Sequence, residues 1–124
     1  MTRISSLRPI LRVVIAAAGQ YFVGVTGGHA QDFDCGRART PAERTICGSA
    51  ELSRLDERMA RAYGRLWSLY ATGSGTDWER ASLRTTQREF LAARDGCGDA
   101  LRCLRLAYLS RIALLDGRIN VAAR

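Results

Sequence analysis

TPAERTICGSAELSRLDERMARAYGRLWSLY, residues 40–70, is the stretch whose reading decides the fold. Thr40-Pro41-Ala42-Glu43 is a capping box with proline at the first helical position. The threonine oxygen accepts an orphan backbone N–H, and the glutamate reaches back to the cap. A short helix is therefore expected from there to about Cys47. Gly48-Ser49 interrupts it, and Ser49 is placed to cap a longer helix to about Tyr70. Leu52, Leu55, Met59, Ala62/Tyr63, Leu66 and Leu69/Tyr70 recur at alternating intervals of three and four. That spacing makes one continuous apolar stripe on a helix.

The same grammar continues downstream. Gly73-Ser74-Gly75 reads as a flexible loop, and Thr76-Asp77-Trp78-Glu79 as a second capping box. The helix it opens carries Leu83, Gln87, Phe90, Leu91 and Arg94 on neighbouring faces. Gly96 fits the left-handed position that ends helices. Asp99 is the expected cap of a last helix, with Leu101, Leu104, Tyr108, Ile112, Leu115 and Ile119 as its stripe. No segment alternates apolar and polar residues between turn signals, so no sheet is expected. The fold class that follows is all-α: a small, disulfide-stapled antiparallel bundle of one short and three longer helices.

Upstream of the bundle the chain reads as a targeting segment. Arg3, Arg8 and Arg12 give a positive start, and an apolar run from Val13 to Val25 follows, broken only at Gln20. Gly28-His29-Ala30 puts small residues at −3 and −1 of a cleavage site before Gln31. This is the order of a secretory signal. The run is shorter than the roughly 18–20 residues that span a bilayer, and Asp-Phe-Asp before Cys35 does not suit lipid attachment. The expected division is a signal peptide over residues 1–30 and one helical domain over 31–124, without a stable membrane anchor after cleavage. The whole chain of 124 residues has a formal charge of +7. Removal of the segment leaves sixteen arginines against twelve acids, a net +4, and takes away His29, the sole histidine.

Four cysteines remain: Cys35, Cys47, Cys97 and Cys103. An even number in a short exported chain reads as a disulfide framework. Eleven and five residues separate the successive pairs, and zinc sites favour gaps of two to four. No metal and no cofactor are expected. Three pairings are possible. Cys35–Cys47 with Cys97–Cys103 closes the shortest loops, each worth roughly 2–3 kcal/mol by chain entropy.

The mature stretch has neither histidine nor lysine, which removes the usual general base, the Schiff-base amine and the commonest metal ligand. Paired cysteines offer no thiol nucleophile. Asp56-Glu57 and Asp77/Glu79 are the carboxylate pairs available for glycosidic chemistry, but they read as solvated helix faces and dipole complements. No catalytic residue is assigned, and the chain reads as a non-enzyme. Arg54, Arg58, Arg61 and Arg65 follow helical spacing, yet acids are interleaved with arginines along every helix, as in Glu57-Arg58 and Glu79-Arg80. Nucleic acid is therefore not the expected partner.

An ordered set of residues resembles the LprI-like lysozyme-inhibitor family. It begins at Phe33-Asp34-Cys35 and runs through Thr40, Glu43, Ile46-Cys47, Leu52, Leu55-Asp56 and Tyr63. It resumes at Gln87, Phe90-Leu91, Arg94-Asp95 and Cys97, and closes with Cys103-Leu104, Tyr108 and Arg111-Ile112. Phe90 stands where relatives often carry tryptophan. The resemblance implies export to the periplasm or beyond, a small helical domain, and a protein partner such as a lysozyme or another cell-wall hydrolase. An accessory envelope protein with a different partner is the alternative. The resemblance brings no inhibitory residue motif with it, so interface candidates come from the residues themselves. Glu51, Asp56 and Glu57 offer one acidic patch, and Asp95 with Asp99 a second. Trp67 and Trp78 lie off the main stripes as aromatic anchors. Gln87 and Arg94, two turns apart, are expected to tie helices together, with Glu43 and Asp56 as partners for Arg94. Tyr63 and Tyr108 are expected to bury their rings.

Overall fold

The computed structural model describes residues 34–73 and 75–124. The targeting segment, Phe33 and Ser74 lie outside the described residues. Four α-helices follow one 3-10 turn at Cys35–Arg37: α1 Pro41–Gly48, α2 Ala50–Thr72, α3 Asp77–Gly96 and α4 Leu101–Ala122. Among the described residues there is no strand.

Both expected capping boxes form. Thr40 Oγ1 accepts from Glu43 N–H while Glu43 Oε2 accepts from Thr40 N–H, each at 3.1 Å. Thr76 and Glu79 repeat the arrangement at the start of α3. Ser49 Oγ accepts from Leu52 N–H at 3.3 Å. The bend between α1 and α2 is held by Ser53, whose hydroxyl donates to the Ile46 carbonyl at 2.9 Å. The α2–α3 connection is tight. A Cβ at Gly75 would lie 2.4 Å from Tyr70 Cα, so only glycine allows this approach. Arg80 Nη1 donates to the Tyr70 and Gly75 carbonyls at 2.8 Å each, satisfying one acceptor that the end of α2 leaves open and one in the loop after it.

The turn between α3 and α4 differs from expectation in two places. The left-handed residue is Gly98, with φ 59°, and Gly96 is the last residue of α3. The N-cap of α4 is Ala100, with no side-chain cap, and Asp99 is exposed. The disulfide at this corner accounts for both. Cys97–Cys103 joins the turn to the first turn of α4 with a Cα–Cα distance of 5.6 Å, so a covalent link fixes the entry that a polar cap would otherwise set. Cys35–Cys47 ties the 3-10 turn to α1 in the same way, with 5.8 Å between Cα atoms. The local pairing is thus the one present, and among the described residues no cysteine is free.

α2 and α4 pack most extensively, and α1 and α3 close over them. The core is built from Ile46 of α1, Leu52, Met59 and Leu66 of α2, Leu83 and Phe90 of α3, and Leu104, Tyr108, Ile112 and Leu115 of α4. The stripe on α2 is centred one residue away from the simplest reading. Asp56 is fully buried where Leu55 is half-buried. On α4, Leu101 points outward at 59% exposure and Arg111 takes an interior place at 4%.

Candidate functional site

Two polar clusters cross the interior. In the first, Tyr108 on α4 donates its hydroxyl to Asp56 Oδ1 on α2 at 2.7 Å, and both residues are fully buried. The edge of Phe90 packs on the Tyr108 ring at 5.4 Å between centroids. Burial and the Asp56 carboxylate push the Tyr108 phenol far above its ordinary range, although Arg94 beside it opposes them. Arg94 itself is buried. Its guanidinium donates to Asp95 Oδ1 at 2.8 and 3.0 Å, and Glu43 Oε1 lies 3.7 Å away. Burial, the largest influence, would by itself lower the Arg94 pKa; the bond and charge of Asp95 together with Tyr108 outweigh it and leave the pKa raised. Glu43 is held below the usual carboxylate range, chiefly by the Arg39 backbone N–H at 2.6 Å.

The second cluster is one turn away. Gln87 Oε1 accepts from Arg111 Nε and Nη2 at 3.1 and 2.9 Å, and its Nε2 donates to Met59 Sδ at 3.3 Å. Gln87 and Arg94 both tie helices together, as expected, but through separate partners. Tyr108 buries its ring completely and Tyr63 half of it.

The acidic candidates do not all lie at the surface. Asp56 is interior, so it is a packing residue and not part of a surface or a solvated helix face. Glu51 pairs with Arg105 at 2.8 Å, and Glu57 with Arg61 at 3.6 Å. Asp95 is engaged by Arg94. Asp99 is exposed at the disulfide corner. Of the tryptophans, Trp67 packs against the core with the Arg84 guanidinium 5.4 Å from its ring centroid. Trp78 is 74% exposed.

Trp78 stands at one end of a feature that the sequence reading did not identify. Between α3 and α4 run two apolar depressions that share Leu114 and Arg118. One is walled by Trp78, Gly117 and Val121, the other by Phe90, Ala93 and Ala107. Leu114 and Val121 are 63% and 72% exposed. The signal was present in the sequence. α4 carries apolar residues around most of its circumference, and Leu106, Leu109, Leu114 and Val121 fall outside the stripe that faces the core. A helix apolar all round needs cover on more than one side.

Among the described residues, no group of three or more His, Cys, Asp or Glu side chains is placed to hold a metal ion. No described helix is long and apolar enough to cross a membrane. What the arrangement offers chemically is binding: an apolar groove flanked by guanidinium groups on a covalently braced frame. Compared with known proteins, the chain matches the family model described as "Lysozyme inhibitor LprI" over residues 35–115, from the first cysteine to the fourth turn of α4. No curated protein and no solved structure matches it.

Proposed function

We propose, from the premise that this chain belongs to the lysozyme inhibitor LprI family, that it is an exported, non-enzymatic binding protein that inhibits a lysozyme or related muramidase by stoichiometric association. The observation that carries the reading is the family match across both disulfides and all four helices. Disulfides suit an oxidising compartment, in keeping with removal of residues 1–30 on export and a mature chain starting at Gln31. A braced bundle suits inhibition, because a preorganised surface loses little conformational entropy on binding.

Charge shapes how such an inhibitor would work. The mature chain is net positive, with sixteen arginines against twelve acids. Glu51 and Glu57 already face arginines. Long-range steering toward a basic lysozyme is therefore weak, and affinity has to come from apolar contact and a slow off-rate. Inhibition should accordingly change little with salt.

The test is a cell-wall lysis assay with purified mature protein against animal and bacterial lysozymes. Inhibition of at least one class supports the reading. Full muramidase activity at tens of micromolar folded protein would remove it and favour an accessory envelope role.

A further inference from the structure

Arg111 is the least compensated charge in the interior. It is 4% exposed, and among the described residues its guanidinium bonds only the neutral Gln87 Oε1 and makes no ion pair. Buried guanidinium groups are ordinarily matched by a carboxylate, because desolvating the charge alone is costly. Burial, and then the Arg118 charge nearby, pull its pKa down. Arg118, one helical period of seven further along α4, is half-buried. It donates through Nε to the Tyr70 hydroxyl at 3.3 Å and stacks over that ring at 5.6 Å, again with no carboxylate partner among the described residues. Both arginines line the groove between α3 and α4, with Leu114 between them in the sequence. Glu89 lines that depression and is exposed; its charge acts on Arg111 without an ion pair, and Glu79, on the wall of the other depression, is committed to the Thr76 cap. The groove is open along its length, and the exposed α4 positions that line it, 110, 113, 114, 117 and 121, carry no charge.

We infer that this groove is the partner-binding face, and that it receives an apolar segment of the partner protein bearing an aspartate or glutamate between its apolar residues. The carboxylate lies against Arg111 and Arg118, and the flanking apolar side chains fill the two depressions beside Leu114. Guanidinium groups hold a carboxylate through charge-assisted bonds. The apolar walls remove competing water and strengthen those bonds. An open groove between two helices takes a protruding helix or extended segment, not an enclosed small molecule. The inference rests on the muramidase reading for the partner's identity, but not for the chemistry of the groove.

Two arms separate those parts. Decanoate is the minimal probe of a carboxylate on an apolar body, with decyltrimethylammonium as the opposite charge. Titration followed by nuclear magnetic resonance should shift the Arg111 and Arg118 Nε–H and Trp78 indole signals with decanoate alone. Arg118→Gln should weaken that response about tenfold. No response to decanoate, or an equal response to both amphiphiles, overturns the carboxylate site whatever lysozymes do. In the second arm, Leu114→Asp and Arg118→Gln should each weaken lysozyme binding about tenfold or more, while Arg65→Ala on the exposed side of α2 leaves it unchanged. A wild type that inhibits, with groove variants that inhibit equally, overturns the groove as the interface and leaves the muramidase reading standing. A wild type that inhibits no lysozyme but binds decanoate through Arg118 upholds the site chemistry and removes the muramidase.

Discussion

Tyr108→Phe tests the interior most sharply, because it deletes one hydroxyl and little else. The ring stays, with its edge contact to Phe90. What is lost is the 2.7 Å bond to Asp56, a carboxylate that water does not reach. A hydrogen bond to a charged group is worth about 1.5–3 kcal/mol net, and the penalty for a stranded buried acceptor lies in a similar range. Asp56 makes further interactions that the substitution leaves in place, so the middle of the range, about 2 kcal/mol, is expected. For a domain of this size each kcal/mol moves Tm by about 4–8 °C, which gives a drop of roughly 8–16 °C. Circular dichroism melts and urea titrations of the mature protein measure it. A cycle with Asp56→Asn and the double variant isolates the pairwise part. A loss under about 0.5 kcal/mol for Tyr108→Phe, or a coupling near zero, would refute the claim that this pair holds α2 to α4.

Three further outcomes are expected. Replacing Cys97 and Cys103 by serine should lower stability by about 2 kcal/mol, the chain-entropy value for so short a loop, read as a reduced urea midpoint with helicity retained. Stability should fall at both pH extremes. Tyr108 is raised, so the folded chain keeps a proton that the unfolded chain releases above the ordinary tyrosine value of 10.0. Glu43 and Glu79 are lowered, each chiefly by a backbone N–H, so their contribution is present above the ordinary value of 4.5 and lost as pH falls below it. Melting temperature across pH 2–12 checks both signs. Thr40→Ala should cost about 1 kcal/mol through the lost cap at α1, seen as a lower melting temperature.

The elements of this fold were legible because they are specified locally. Thr40-Pro41-Ala42-Glu43 and Thr76-Asp77-Trp78-Glu79 contain their own stop and start chemistry, and each cap forms as written. The cysteine pairing was legible for the same reason, since short loops confine the choice. What could not be read depends on contacts between distant residues. Asp56 looks like a solvated acid on α2 until Tyr108, 52 residues later, is brought against it. Nothing in the local sequence marks Arg111 as interior; Gln87, 24 residues earlier, receives it. Leu101 fits the core stripe by spacing, but the disulfide corner turns the start of α4 outward. The groove was hidden because Leu114 and Val121 lie off the core stripe of α4, and whether such residues are covered depends on where α3 packs.

The central claim is that a braced helical bundle acts by occupying a muramidase. Its most direct test is a tight-binding titration in which mature protein is added to a fixed, higher concentration of lysozyme and residual activity is recorded, with complex mass measured in parallel by size-exclusion chromatography and light scattering. The account predicts that activity falls linearly and reaches its floor at one equivalent, alongside a complex of one copy of each protein. Full lysozyme activity with several equivalents of folded, disulfide-intact protein and no complex in the column eluate would contradict it.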